Sequence, residues 1–476
     1  MGFPMSLKRF AAVAAISLAT AVAGCQSSDE GTDTGSPDAG TAVMPVAACG
    51  MPSYTLLPRN QVGKLVSYEE LPLLNLEQSQ IAEYIKSAGF EGKVEIPYGC
   101  RVFLFRYTTQ DRGKSVEATA TLGIPANVEL PKVDFPLAVF GHGTTGFSDP
   151  CAPSREFEGQ ASSAILASQG FVTVSPDYIG MTGSGAPSTT THGYLVGEQV
   201  AIGMWDALRA GELLLKKIKG APQTGKATVV WGASQGGHAA LFTELYGPYY
   251  APEFDVKAVA AMVPPSVLMP LAQKAMEKFS PPTVSFAAVL TTMREWYGAP
   301  ADLGGIITDS DPFFFAGTLY SQIFVKEKCN PGEAFEKALK EEPNVRLMYK
   351  DEFINAVLAG DLEGIEPWGC YLNENSLATS RAKPRRFVPT MMIYSENDDL
   401  VVTEPMRQDF DRLCTLGYRL DYLECKNATH SEGAAWSLPE QVAWVRARLA
   451  GEPLPADICQ RRAPVCCSGA PAEKCK

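Results

Sequence analysis

The chain has 476 residues, of which 46% are hydrophobic, 9% aromatic and 20% charged. These are the proportions of a globular protein, so the composition excludes wholesale disorder and a fibrous repeat. The 41 basic and 53 acidic residues give a net charge of -12. A chain with this acidic excess is not expected to bind nucleic acid.

The N-terminus has the pattern of an export signal. Two basic residues at 8–9 precede an alanine-rich apolar stretch at 10–23 that is short for a membrane span. The stretch ends in Val-Ala-Gly-Cys, which resembles the lipobox of bacterial lipoproteins. We expect residues 1–24 to be a lipoprotein signal peptide and Cys25 to carry acyl chains that anchor the protein to a membrane. An ordinary secretory signal is the alternative.

Both interpretations place the protein outside the cytoplasm, either as a lipoprotein of the outer membrane or cell surface or as a secreted protein. Residues 25–47 are rich in Ser, Gly, Asp, Thr and Ala, which is typical of a flexible tether. The twelve cysteines agree with an oxidising compartment.

The elements that follow the tether predict a sheet covered by helices. Two β-rich segments, at 93–108 and 115–124, predict opening antiparallel strands. Short apolar runs then alternate with helical patterns. Predicted strands lie at 135–140, 171–175, 227–231, 256–263, 388–394 and 419–424, and predicted helices at 155–169, 194–217, 236–247, 404–415 and 436–449.

This alternation predicts an α/β fold with a mostly parallel central sheet and helices on both faces. We assign the first part of the sheet domain to 48–264 and its second part to 387–450. Between them, 265–386 is an inserted helical cap, and 451–476 is a Cys-rich tail. The apolar helices of the cap could form a pocket or a mobile lid, or have a purely structural role.

The motif Gly-Ala-Ser-Gln-Gly at 232–236 is the centre of the predicted site. A predicted strand precedes it and a predicted helix follows it, which is the context of a nucleophile elbow around Ser234. The glycines permit a sharp turn that exposes the serine oxygen. The alternative is a surface turn with an idle serine.

A serine nucleophile needs a base and an acid that orients the base. Of the four histidines, His430 alone lies in the loop just past the last predicted strand, so we expect it to be the base. We expect Asp398, after the preceding strand, to be the acid. Asp399 is the second choice, and Glu396 is a remote one.

The other three histidines receive lesser roles. His142 is expected to hold the loop after an early strand, and His238 to pack on the helix after the serine. His192 is interpreted as an ordinary loop histidine, with a place at the rim of the site as the alternative.

A developing oxyanion needs backbone N–H donors. One is expected from Gln235, the residue after the nucleophile. The other is expected from Thr144, in the loop Gly-His-Gly-Thr-Thr-Gly at 141–146, with Thr145 as the alternative. A tight turn without any such role is the structural alternative for this loop.

Four stretches of the chain match a known family. They are 142–146, Ser-Pro-Asp-Tyr-Ile-Gly at 175–180, Trp-Asp-Ala-Leu-Arg-Ala at 205–210 and Gly-Ala-Ser-Gln-Gly-Gly-His-Ala-Ala at 232–240. Through them the chain resembles the α/β-hydrolases, and within these the secretory lipase family that includes Candida lipase A. The lipoprotein anchor and the Cys-rich tail depart from that family, and the cap shows no sequence match to its lid.

The resemblance implies hydrolysis of carboxylic or triacylglycerol esters without a cofactor. It assigns the nucleophile, acid and base to Ser234, Asp398 and His430, and the oxyanion donors to Gln235 and Thr144. The expected partner is therefore an acyl ester or lipid. A serine peptidase, an acyltransferase and a non-catalytic surface lipoprotein remain the alternatives.

Export favours disulfides over a metal site, so no metal is expected. Without Cys25, an odd number of cysteines remains. Plausible pairings are Cys414 with Cys425, to brace the loop that carries the base, and Cys329 with Cys370, to staple the cap, although connectivity does not follow from sequence. Metal binding is the alternative for the tail cysteines, which are Cys459, Cys466, Cys467 and Cys475.

Overall fold

The structure is a computed structural model that describes residues 44–87, 95–298, 306–307, 329 and 344–476. The expected signal peptide, the expected lipidation site Cys25 and most of the tether lie outside the described residues, as does part of the expected cap. The sequence-based predictions for those segments stay predictions.

A single sheet forms the centre of the described chain. Its strand order is β1-β2-β3-β5-β4-β6-β7-β8-β9, and every pair from β5 to β9 is parallel. β1 to β3 and the β3–β5 pair are antiparallel. The strands are β1 Leu65–Glu70, β2 Gly99–Asp111, β3 Lys114–Ala126, β4 Phe135–Gly141, β5 Val172–Pro176, β6 Thr224–Ala233, β7 Asp255–Met262, β8 Thr390–Ser395 and β9 Leu420–Cys425.

Eleven helices occur in the described part of the chain. They are α1 Gln78–Ser87, α2 Phe157–Ser168, α3 Gly197–Leu215, α4 Gln235–Tyr250, α5 Met269–Glu277, α6 Pro281–Tyr297, α7 Asp351–Ala359, α8 Trp368–Glu374, α9 Thr403–Thr415, α10 His430–Trp436 and α11 Leu438–Leu449. The predicted α/β fold is confirmed, and every predicted strand and helix named above has a counterpart. The sequence analysis did not anticipate β1, α1 or α10.

The central strands are apolar along their length because both faces of the sheet are buried. Neighbouring residues of one strand enter opposite layers: Val229 packs with α2 and α11, whereas Val230 packs with α3 and α4. The antiparallel hairpin of β2 and β3 turns at Arg112 and Gly113, whose φ angles of 49° and 72° are those of a type I′ turn.

The described cap helices α5 to α8 share an apolar cluster of their own. α6 begins with a capping box in which Ser280 and Thr283 satisfy each other's backbone N–H groups. The cluster also includes Ala48 and Met51 from the start of the domain and Tyr194 to Val196 from the loop before α3. The cap therefore packs directly on the segment that borders the site.

Five disulfides join the described residues, and both pairings considered above are wrong. They are Cys49–Cys370, Cys151–Cys329, Cys414–Cys459, Cys425–Cys467 and Cys466–Cys475. Cys414 ends α9 near the amino end of β9, while Cys425 is the last residue of that strand. The six residues of β9 separate them by roughly 17 Å at about 3.3 Å per residue, so both bond to the tail instead.

The cap cysteines are likewise bonded to other regions rather than to each other. Cys370 pairs with Cys49 at the start of the domain, and Cys329 pairs with Cys151 beside the 141–146 loop. Cys100 is buried and is the free cysteine of the described residues. No helix in the described part of the chain is both long and apolar enough to cross a membrane.

Candidate active site

Ser234 occupies a strained turn between β6 and α4. Its φ of 57° and ψ of -119° lie outside the usual regions for a residue with a side chain. A Cβ on Gly232 would collide with the carbonyl oxygen of Gly236, and a Cβ on Gly236 would collide with that of Gly141. The glycines of the motif are thus required because the turn packs backbone against backbone with the end of β4.

His430 lies against the serine. Its Nε2 is 2.8 Å from the Ser234 Oγ, and its ring is buried. The prediction that His430 sits in a loop is wrong in detail, because it is the first residue of α10. Thr429 and Glu432 form a capping box around it, which fixes the first turn of the helix.

Asp398 is the carboxylate that contacts the ring of His430. Its two oxygens lie 2.9 and 2.8 Å from Nδ1. The backbone N–H groups of Leu400 and Val401 also donate to Asp398 Oδ1, at 3.0 and 2.7 Å. The carboxylate is thereby fixed in place, and the imidazole faces the serine through Nε2.

The two other acids of this loop contact the backbone instead. Asp399 accepts from the backbone N–H of His430 at 3.2 Å, and Glu396 accepts from that of Asn427 at 2.7 Å. The structure therefore brings Ser234, His430 and Asp398 into one hydrogen-bonded line and places Asp399 and Glu396 beside it.

The expected oxyanion donors lie in the loop after β4 and at the start of α4. Thr144 and Gln235 both line the cavity that contains the serine. The Thr144 hydroxyl is 2.8 Å from that of Tyr194, whereas the Thr145 hydroxyl turns away and donates to the Cys151 carbonyl at 2.8 Å. Thr144 lines the cavity and Thr145 is not among its lining residues, which favours Thr144 as the second donor.

His192 contacts the site in a way that the sequence analysis missed. Its Nδ1 is 3.2 Å from the carbonyl of Ile179, which can only accept, so Nδ1 carries the proton. Burial lowers the pKa of His192 to about 3, so the ring is neutral and its Nε2 is an acceptor. Gln235 Nε2 donates to that acceptor at 2.8 Å, which anchors the side chain of the residue after the nucleophile.

The remaining two histidines are neutral and structural. Burial lowers the pKa of both His142 and His238 to about 4. His142 Nδ1 lies 2.6 Å from the Gly143 carbonyl and its ring packs on Tyr178, while His238 Nε2 lies 2.9 Å from the Asn375 carbonyl of the cap. No sequence signal separated His192 from these two, because its role depends on a contact between residues 43 positions apart.

The cavity above Ser234 has a volume of about 350 Å³ and a mainly apolar lining. None of its described lining residues is Asp, Glu, Lys or Arg. The cap contributes Pro265, Leu271, Pro282, Ser285, Phe286 and Val289, the loop after β8 contributes Leu400 and Val401, and α10 contributes Ser431 and Ala434. Within the described residues, no group of three or more His, Cys, Asp and Glu side chains could hold a metal ion.

Comparison with known proteins gives a family and several similar structures. The model of the alpha/beta hydrolase family matches residues 138–443, which is well over half of the chain. A comparison with curated protein sequences gives no match.

Three solved structures illustrate the similarity. The rice cell wall degrading esterase LipA from Xanthomonas oryzae is 20% identical with a TM-score of 0.65, over 82% of this chain and 98% of that one. A putative hydrolase from Legionella pneumophila is 18% identical with a TM-score of 0.63, over 82% and 100%. Candida antarctica lipase A in its closed state is 16% identical with a TM-score of 0.59, over 91% and 94%. At these identities the similarity establishes the fold.

Proposed function

The chain belongs to the alpha/beta hydrolase family, and we propose that it is an exported serine carboxylester hydrolase of the esterase or lipase type. The observation that carries the proposal is the hydrogen-bonded line from Ser234 through His430 to Asp398. This line has the geometry that activates a serine hydroxyl for attack on a carbonyl carbon. The names of the similar structures, an esterase and a lipase among them, agree with it.

In the acylation step, the Ser234 oxygen forms a bond to the carbonyl carbon of the ester while His430 Nε2 takes the serine proton. Asp398 holds the proton on Nδ1 and stabilises the imidazolium. The carbonyl electrons move onto the oxygen, which accepts from the backbone N–H groups of Gln235 and Thr144. When the carbonyl re-forms, the alcohol leaves with the proton that His430 returns.

In the deacylation step, His430 takes a proton from water, and the resulting oxygen nucleophile attacks the acyl-enzyme. The second tetrahedral intermediate uses the same two N–H donors. Its collapse releases the carboxylic acid and restores the Ser234 hydroxyl, so the cycle needs no cofactor.

The cavity supports a neutral acyl substrate. Its apolar lining, with no Asp, Glu, Lys or Arg among the described lining residues, provides no ion-pair partner for a charged acyl group. The cap wall at Leu271, Phe286 and Val289 fits the acyl part. Leu400 and Val401 lie on the other wall, near the base, where the leaving alcohol must receive its proton.

Export and membrane attachment form the second part of the proposal. Five disulfides among the described residues support an oxidising compartment. Acyl chains on Cys25 would then attach the protein to a bacterial membrane through the tether.

The test is hydrolysis of p-nitrophenyl esters from acetate to palmitate, compared with Ser234→Ala. We expect the substitution to lower kcat by about a millionfold, because it removes the nucleophile. Ser115→Ala, at the exposed start of β3, is the matched control and keeps full activity. The chain-length optimum separates an esterase from a lipase.

A folded protein that hydrolyses none of these esters contradicts the proposal. Hydrolysis of anilide substrates in its place would indicate a peptidase on the same fold. Acyl transfer to an added alcohol that exceeds hydrolysis would indicate an acyltransferase. Lipidation is tested separately by mass spectrometry of the N-terminal peptide from the parent and from Cys25→Ala.

A further inference from the structure

The Cys-rich tail contributes no described residue to the lining of the cavity. It does contact the loop that leads to His430 and the helix that begins with it. We call residues 459–475 the C-terminal brace. Cys459 bonds to Cys414 at the end of α9, and Cys467 bonds to Cys425 at the end of β9. A third disulfide, between Cys466 and Cys475, closes the brace on itself.

The brace extends the sheet beyond its edge. Val465 forms a parallel bridge with Cys425, in which its N–H donates to the Glu424 carbonyl at 2.9 Å and its carbonyl accepts from Lys426 at 2.8 Å. An edge strand has backbone groups without strand partners. The brace supplies partners at the carboxyl end of β9, immediately before the loop that leads to His430.

That loop, residues 426–429, is also held from its outer side. The Asn427 side chain donates to the Lys474 carbonyl at 2.9 Å, and Asn427 has a left-handed φ of 56°. The ammonium of Lys474 lies 3.6 Å from Glu432, whose carboxylate caps the start of α10. The brace thus contacts residues on both sides of His430 in the sequence.

The far end of α10 is fixed in the same way. The Gly469 N–H donates to the Trp436 carbonyl at 2.7 Å, and a Cβ at Gly469 would press on the Trp436 backbone. Cys467 and Ala470 are buried with Trp436 in the apolar layer on this face of the sheet. The helix that begins with His430 is therefore packed against the brace at both ends.

From these contacts we propose that the C-terminal brace is a positioning element that holds His430 in line with Ser234 and Asp398. The proposal rests on the proposed function, since it assigns His430 the role of base. The brace acts through the 426–429 loop and α10. A displacement of about 1 Å of a catalytic group can cost about a hundredfold in rate, so a support of this kind affects turnover directly.

The two disulfides between the brace and the sheet domain provide a matched test. Cys425–Cys467 and Cys414–Cys459 span 42 and 45 residues, so their removal costs nearly equal loop-closure entropy. We expect Cys425→Ala/Cys467→Ala to lower kcat ten- to hundredfold with KM for p-nitrophenyl butyrate within about twofold. Cys414→Ala/Cys459→Ala should change kcat by less than about twofold, because its disulfide is remote from His430.

A third variant avoids the disulfides altogether. Asn427→Gly removes the side-chain bond to Lys474 and keeps the left-handed backbone, which glycine adopts without strain. We expect a smaller fall in kcat, about two- to fivefold, at unchanged KM. All variants are assayed below the onset of thermal unfolding, with circular dichroism as the check of folding.

Amide hydrogen exchange of residues 426–436 gives a result that does not depend on ester hydrolysis. Exchange should accelerate there in Cys425→Ala/Cys467→Ala and stay at the parent rate in Cys414→Ala/Cys459→Ala. If the two double variants have equal kcat, or if this segment exchanges at equal rates in both, the proposal that the brace positions His430 is wrong. An inactive parent with the expected exchange pattern would contradict the proposed function and leave the brace standing.

Discussion

Two sets of residues around Ser234 are held in place by different physical means. We call the 141–146 loop with Gln235 the oxyanion side, and the loops that carry Asp398 and lead to His430 the base side. On the oxyanion side, the buried, neutral His142 of the 141–146 loop packs on Tyr178, and the buried, neutral His192 accepts from the side chain of Gln235. On the base side, the carboxylates of Asp398, Asp399 and Glu396 accept from the ring and backbone of the segment 427–430. The C-terminal brace and its two disulfides to the sheet domain reinforce the base side from outside, while Cys151–Cys329 lies beside the 141–146 loop.

The position of each side in the sheet explains the difference. β4 and β6 are central strands, and Gly141, His142, Gly146 and Gln235 at their ends are buried. β8 and β9 are the last two strands, and their loops border solvent. A central loop is fixed by burial and packing, whereas an edge loop needs charge-assisted hydrogen bonds and covalent links to stay in register.

The largest effect is expected from neutralising the proposed acid on the base side. We expect Asp398→Asn to lower kcat by about ten-thousandfold, because the amide keeps the shape but no longer stabilises the imidazolium or fixes its tautomer. Steady-state kinetics with p-nitrophenyl butyrate measures the effect.

Asp399→Asn is the matched control, since it makes the same chemical change one residue away. The Asn oxygen can still accept from the His430 N–H, as Asp399 does at 3.2 Å. We expect kcat within about threefold of the parent. A larger loss for Asp399→Asn than for Asp398→Asn would reverse the assignment of the acid.

Much of the fold and of the site could be predicted from the sequence because the signals are local. β4, β7, β8 and the second half of β6 carry mainly apolar runs, so their burial is visible in the sequence. The strand–elbow–helix around Ser234 is contained within residues 224–250, and the proposed acid and base follow in the order that the fold requires. Contacts with the ring of His430 then distinguish Asp398 from Asp399, which spacing alone could not do.

The parts that escaped prediction depend on long-range contacts. The disulfide partners of Cys414 and Cys425 lie 45 and 42 residues away in a tail without regular periodicity. β1 has an exposed, mixed sequence and is a strand because it pairs with β2. His192 resembles any loop histidine until the fold brings it to Gln235.

The oxyanion side can be tested through His192. His192→Leu leaves the Gln235 Nε2 buried without its acceptor and frees the residue whose N–H is the proposed oxyanion donor. We expect kcat to fall about ten- to hundredfold with KM nearly unchanged, since the donor acts mainly in the transition state. Steady-state kinetics at several pH values measures this effect.

His238→Leu serves as the comparison, because His238 is also buried and neutral and lies on the helix that Gln235 begins. It contacts a cap carbonyl, so its loss should lower the melting temperature with less than about threefold change in kcat. Equal losses of kcat in the two variants would show that any buried histidine near α4 has the same effect, and that His192 has no special role.

The smallest expected effect concerns the buried carboxyl group of Glu198, in the first turn of α3. Burial, with the nearby charges of Asp111 and Glu374, raises the pKa of Glu198 to about 8. Glu198 lies at the start of α3 and accepts from the Tyr54 hydroxyl. Because its folded pKa is above its ordinary value of 4.5, the native state binds the proton more tightly, and stability falls as pH rises from about 4.5 to about 8.

Glu198→Gln removes this titration and keeps the oxygen that accepts from Tyr54. We expect the melting temperature of the variant to exceed that of the parent by a few degrees at pH 8.5, and the difference to shrink as the pH falls towards 4.5. Glu69→Gln, which makes the same charge change on the exposed face of β1, should leave the pH dependence unaltered. If the melting temperatures of the parent and of Glu198→Gln change in parallel with pH over this range, the pKa of Glu198 is not raised in the folded protein. Burial would then act on the oxyanion side only through its histidines.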